Sequence, residues 1–154
     1  MWKKASQFFR RLFALNDTPE RIARAFALGV FLAFSPLIGL HLLLGVLFAV
    51  FFGLNRFALF LGLLINNPWT LIPIYAAGTY LGSLLIGFPT LPALPSFEVH
   101  TIWSSEFWVQ IAGHWHILKP MMLGSTILSI FLAVFSYIAA YYLIKQYRIR
   151  QVHA

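Results

Sequence analysis

The chain has 154 residues, of which 60% are hydrophobic, 18% aromatic and only 10% charged, and its formal net charge is +7. Soluble domains carry about 25% charged residues, so an ordinary soluble enzyme and a disordered tail are excluded, and the lack of cysteine excludes a disulfide framework or a thiolate metal site. Nine of the eleven Lys and Arg residues fall in the first 24 or last 10 positions. Basic ends around an apolar middle fit a membrane protein with its positive side in the cytoplasm, not a surface that reads nucleic acid. The expected class is an all-α integral membrane protein of the prokaryotic inner (cytoplasmic) membrane, multi-pass, with both termini cytoplasmic.

Residues 1–16 predict a basic amphipathic helix lying in the membrane interface. Trp2, Ala5, Phe9, Leu12 and Phe13 make one stripe, and Lys3, Lys4, Arg10 and Arg11 lie off it. The apolar run that comes after it is too long for the core of a signal peptide, so this helix is expected to be retained. Residues 17–148 then form a single membrane domain, with 149–154 as a tail. Thr18-Pro19-Glu20 has the order of a helix start: hydroxyl cap, proline in the first turn, acid at the positive end of the helix dipole.

Next come two uncharged, largely apolar units, residues 25–54 and 57–87. A straight helix of that length would be about 45 Å long, against a hydrocarbon core of about 30 Å. Prolines interrupt both units. Pro36 disfavours helical geometry at Ser35, and Pro68 and Pro73 do the same at Asn67 and Ile72. We therefore expect Pro-broken helical hairpins or re-entrant segments. The first unit is expected to be a tight hairpin and the second one kinked crossing. The units resemble an internal repeat, each with a Gly, a polar-Pro break and a closing Gly, and with Pro36 and Pro68 at 32 residues' spacing. Paired Gly/Pro-interrupted segments point to a transporter-type binding site.

Broken backbone in hydrocarbon must find partners inside the protein or beside a water-filled cavity. Polar residues gather at these breaks, which nominates a substrate-binding cluster of Ser35, Pro36, Gly39, His41, Asn66, Asn67, Pro68, Thr70 and Tyr75. No Asp or Glu occurs in the 77 residues between Glu20 and Glu98. Cation channels, hard-metal sites and acid–base hydrolases need carboxylates, so a neutral or anionic ligand is favoured. No metal and no cofactor is expected, and no enzyme: Ser35 and His41 do not share a helical face and have no third orienting group. Arg56, between the units, is expected to be an interface anchor on the cytoplasmic side.

Residues 88–119, proline-punctuated and then Trp-rich, are expected on the outer side. Residues 120–144 are expected to form the C-terminal transmembrane helix, opened by Pro120. Ser125, Ser129, Ala133, Ser136 and Ala140 fall on one face of it, and Gly78 and Gly82 offer a second small-residue face; such faces let helices approach closely. They nominate a homo-oligomer.

The order TPE-x-IA-x-x-FALGVFLAFSPLIGLH, then GLN-R, then NNPWTLIPIY, then an apolar helix with a basic tail resembles the prokaryotic membrane family named domain-of-unknown-function 2062, over roughly residues 18–148. The resemblance implies a small integral membrane domain that occurs alone or joined to glycosyltransferase-like domains. It implies no catalytic residues. Pro36, Gly39, His41, Asn67, Pro68, Thr70 and Pro73 fall on its recurrent motifs. Two functions are expected to compete: translocation of an anionic amphiphile or lipid-linked phosphate, and a non-catalytic anchor or scaffold for an envelope or polysaccharide enzyme. Membrane lipids, a second copy of the chain and a glycosyltransferase or other envelope enzyme are the expected partners, and nucleic acid is not.

Overall fold

A computed structural model describes residues 17–37, 39–87, 113 and 115–152. The expected interface helix at residues 1–16 and the outer stretch 88–112 lie outside the described residues. Those described form five helices and no strand.

The first helix, α1, is Pro19–Phe34. Its start has the expected chemistry: the Thr18 hydroxyl accepts from the Arg21 backbone N–H at 3.3 Å, with Pro19 in the first turn. It stops at Ser35, extended at φ −66° and ψ 151°, because Pro36 disfavours the helical region for the residue before it. A turn through Gly39, at φ +80°, brings the chain into α2, His41–Phe51. The end of α2 is a Schellman motif: Gly53 lies at φ +56°, Leu54 N–H donates to Ala49 O at 3.1 Å and Gly53 N–H to Val50 O at 3.4 Å. The helix α3 is Arg56–Leu63, capped by the Asn55 side chain on Ala58 N–H at 3.0 Å. A four-residue turn leads to α4, Pro68–Ile86, which ends on left-handed Gly87. The last helix, α5, is Trp115–Val152.

The chain directions are fixed by long-range hydrogen bonds. Arg21 donates to Gly53 O at 3.0 Å, so the end of α2 lies beside the start of α1 and the two are antiparallel. Asn55 donates to the Asp17 carboxylate at 3.0 Å and Asn66 to Ala33 O at 2.9 Å, so α3 runs parallel to α1. Arg148 donates to Asp17 O at 2.6 Å, which sets the C-terminal half of α5 antiparallel to α1. The N-terminal half of α5 packs on α4, where Gly82 meets Pro120 and Gly78 meets Ser125. At 38 residues α5 is about 57 Å long, and α1 and α4 occupy successive stretches of it.

Two glycine crossings set how closely these helices approach. At Gly29 and Gly62, α1 and α3 touch backbone to backbone: a Cβ on Gly29 would overlap Leu59 O, and one on Gly62 would overlap Phe26 O. At Gly82 and Gly124, a Cβ on either would overlap backbone of the facing helix. Around the first crossing sits the main core, Ile22, Ala25, Leu32, Ala49, Ala58, Leu59, Leu63 and Ile144.

Two sequence expectations, at Pro73 and Pro120, need correction. Pro73 does not interrupt its helix: it is the sixth residue of α4, where it removes one backbone hydrogen bond, to Trp69 O, from a helix already secured at its start. Pro120 does not open the last helix but lies inside α5, which begins at Trp115. The unit 57–87 is two helices, α3 and α4, separated by a turn. The two units differ in shape: α1 and α2 fold back on each other, whereas α4 carries on in the direction of α3. The small-residue faces raise a further point. Gly78 and Gly82 of α4 pack against Ser125 and Gly124 of α5 within one chain, so these faces are already occupied and carry no argument for an oligomer.

Candidate functional site: the junction of the two backbone breaks

Ending α1 at Ser35 strands the carbonyls of its last turn, whose partners would have been N–H groups four residues on. Leu32 O has none, because Pro36 carries no N–H; the Ser35 hydroxyl donates to it instead, at 2.8 Å. Ala33 O accepts from the Asn66 side-chain amide at 2.9 Å. Ser35 O accepts from the Tyr75 hydroxyl at 3.1 Å. Three stranded carbonyls thus have three side-chain donors, one local, one from the α3–α4 turn and one from α4. The Tyr75 hydroxyl and the Asn66 amide also meet. Ser35 is 2% exposed and Tyr75 8% exposed, so the junction is enclosed.

The second break is closed locally. Asn67 caps α4, its Oδ1 accepting from Trp69 N–H at 3.0 Å and Thr70 N–H at 3.1 Å. The Thr70 hydroxyl lies 3.0 Å from Asn67 N–H, which donates to it, completing a capping box. That hydroxyl also contacts Ile65 O.

Of the nine nominated residues, Ser35, Asn66 and Tyr75 come together on the end of α1. Asn67, Pro68 and Thr70 form the adjoining start of α4. Pro36, Gly39 and His41 belong to the turn into α2, and His41 Nδ1 is enclosed with no hydrogen-bond partner among the described residues. Everything joined at the junction is uncharged. Among the described residues no group of three His, Asp or Glu side chains could hold a metal ion. The arrangement can hold or release neutral hydrogen bonds, and the Ser35 hydroxyl is spent on Leu32 O.

Sequence reasoning missed two features. One is the clasp at the opposite end of α1, where Asp17 takes an ion pair from Arg21 at 3.1 Å, the Asn55 amide and, on its backbone carbonyl, Arg148. Residues so far apart in sequence give no local signal. The other is a groove of about 690 Å³ between α2 and α3, lined by apolar side chains and Arg56. Its signal was the Gly45-x-x-x-Ala49 spacing, whose small side chains are the buried positions of α2.

A family model described as an uncharacterized protein conserved in bacteria, DUF2062, matches residues 3–153. The chain belongs to the DUF2062 family. No curated protein and no solved structure matches it. Among the described residues of this DUF2062 chain one helix, over Leu118–Arg150, is long and apolar enough to cross a membrane, with a mean hydropathy of 2.2 over its most apolar window. Only 11% of that window is buried in the fold, whereas the core helix of a soluble protein would be mostly buried.

Proposed function

We propose that this DUF2062 chain is an integral protein of the bacterial inner membrane that translocates an anionic amphiphile, such as a phospholipid or a lipid-linked phosphate, between leaflets. The observation that carries the reading is the meeting of two backbone breaks, from sequence-distant segments, through uncharged hydrogen bonds in an otherwise apolar bundle. Such a junction offers exchangeable donors to a passing polar headgroup without a fixed charge to trap it. Large apolar side chains are exposed on four of the five helices, α2 to α5, including Phe51, Trp69 and Phe131 at 79%, 91% and 66%. Soluble monomers rarely leave apolar patches beyond a few hundred Å² uncovered, and acyl chains are the natural cover here. In this topology α1 and α2 enter and leave on the cytoplasmic side, α3 and α4 cross outward and α5 returns.

The test is a dithionite assay on proteoliposomes holding a fluorescent anionic lipid. Quenching beyond that of protein-free vesicles is expected, and reduced quenching with Asn66→Ala and Tyr75→Phe together. Activity no higher than that of empty vesicles, across anionic lipids, overturns the reading.

One observation favours a second reading, a non-catalytic membrane scaffold for an envelope or polysaccharide enzyme such as a glycosyltransferase. Every donor at the junction is spent on a backbone carbonyl, which is all a static anchor requires. Co-purification of one stoichiometric enzyme, unaffected by His41→Ala or Asn67→Ala, would select it.

A further inference from the structure

The helices α2 and α3 lie side by side yet do not close. Gly45 and Ala49 of α2 are its only buried residues, and Gly45 rests on the Leu59 and Leu63 side chains. Beside this contact is the groove of about 690 Å³, walled by Val46 and Ala49 on one side and Phe60 and Leu63 on the other. Its lining carries no hydroxyl, amide or carboxylate, and its single polar side chain is Arg56. Arg56 is the first residue of α3, so the positive end of that helix dipole adds to its guanidinium.

Among the described residues the charge of Arg56 is unmatched. The two described carboxylates, Asp17 and Glu20, lie at the start of α1. Asp17 is taken by Arg21 and Asn55, and among the described residues neither carboxylate forms an ion pair with Arg56. A hydrocarbon slot that ends on an unmatched cation is complementary to one molecule class: an apolar chain with an anionic head. A neutral lipid matches the slot but not the cation. A helix of a second copy could offer the guanidinium only Glu20, at the very start of α1, and not the long apolar segment that fits the slot.

We infer that the α2–α3 groove seats one acyl chain of an anionic phospholipid and that Arg56 holds its headgroup phosphate. This gives the proposed translocation a resting site for its substrate, and in that sense it rests on that reading. The groove is separate from the junction: none of its lining residues is Ser35, Asn66 or Tyr75.

Native mass spectrometry of the full chain in neutral detergent tests it, with dioleoyl phosphatidylglycerol and dioleoyl phosphatidylcholine as probes. Both headgroups carry a phosphate, but the choline cation of phosphatidylcholine offsets its charge, so the net anion predicts about a tenfold preference for phosphatidylglycerol in the unmodified chain, shrinking as salt is raised. Arg56→Gln should bring the two lipids to parity while both still bind. Val46→Trp and, independently, Val50→Trp should weaken both lipids several-fold; these residues are 63% and 62% exposed, so the larger ring enters the groove and not the core. Equal binding of the two lipids to the unmodified chain, or an unchanged preference in Arg56→Gln, overturns the inference. So does undiminished binding in both tryptophan variants, or a dimer that either one dissolves, which would name a second copy as the occupant. The flipping assay on the same variants separates the claims. Absent lipid preference with intact flipping removes this site alone, whereas selective binding without flipping removes translocation and leaves the site standing.

Discussion

The breaks at Pro36 and Pro68 begin with the same residue type and end in opposite geometries. After Pro36 the chain turns through left-handed Gly39 and α2 returns alongside α1; after Pro68 it runs onward as α4. The difference lies in which backbone groups each proline leaves bare. Pro36 comes just after a helix C-terminus, and the stranded carbonyls of Ala33 and Ser35 are met by Asn66 and Tyr75, 33 and 40 residues away. Pro68 opens a helix, and its stranded N–H groups are met by Asn67 within three residues. One break is thus conditional on the tertiary fold, and the other is self-contained. Proline decides that a helix stops; the donors within reach decide where the chain goes next.

Four measurements would break or sharpen that contrast. The largest effect is expected from Gly29→Val, which forces a side chain into Leu59 O at the crossing that aligns α1 with α3. Overpacking of this kind costs about 1–3 kcal/mol when neighbours can shift, and backbone yields less than side chains. We expect a loss at or above that range, seen as a sharply lowered unfolding midpoint in detergent. Gly82→Val should behave alike at the α4–α5 crossing.

Asn66→Leu comes next. It leaves Ala33 O buried without its donor, at a cost of about 1–3 kcal/mol. Tyr75→Phe should cost somewhat less, and a double-mutant cycle of the two should be non-additive because both hydroxyl and amide serve one junction. Additive costs would mean the two donors act separately and would weaken the idea of a single conditional break.

Asn67→Ala removes the cap of α4 and should cost about 1 kcal/mol. Its signature is locality: faster amide exchange in the first turn of α4, with the α1 junction unchanged. Spread of that exchange to residues 31–35 would contradict a self-contained second break. The smallest effect belongs to Asp17→Asn. Its Arg21 partner is 55% exposed, so the ion pair is screened and worth less than about 1 kcal/mol. The loss in midpoint should vanish at high salt.

Much of the layout was legible in the chain. Thr18-Pro19-Glu20 marked the start of α1, Pro36 its end, and Asn67-Pro68 the start of α4, because caps and prolines act over three or four residues. The polar residues at the breaks were legible as a group too, since broken helices need partners wherever they lie. Which of them would meet was not. His41 and Gly39 carried the same local signal as Asn66 and Tyr75, yet only the latter pair reaches the end of α1. Pro73 and Pro120 were misjudged for a related reason: a proline in the second turn removes a single hydrogen bond, and a helix secured on both sides tolerates it. The first glycine of each unit's shared pattern, Gly29 and Gly62, was legible as part of that pattern, while their role as one backbone contact was not.

By itself the sequence determined both ends of α1 and the start of α4, that charge gathers at the ends of the chain, and that residues 21–97 have no carboxylate; these depend on neighbours along the backbone. Only the tertiary structure decided that the small-residue faces of α4 and α5 bury each other, and that Asn66 and Tyr75 complete α1. Those outcomes depend on which helices approach closely enough for a donor to reach a stranded carbonyl. Closeness is set at the glycine crossings, by pairs of residues that no local pattern links.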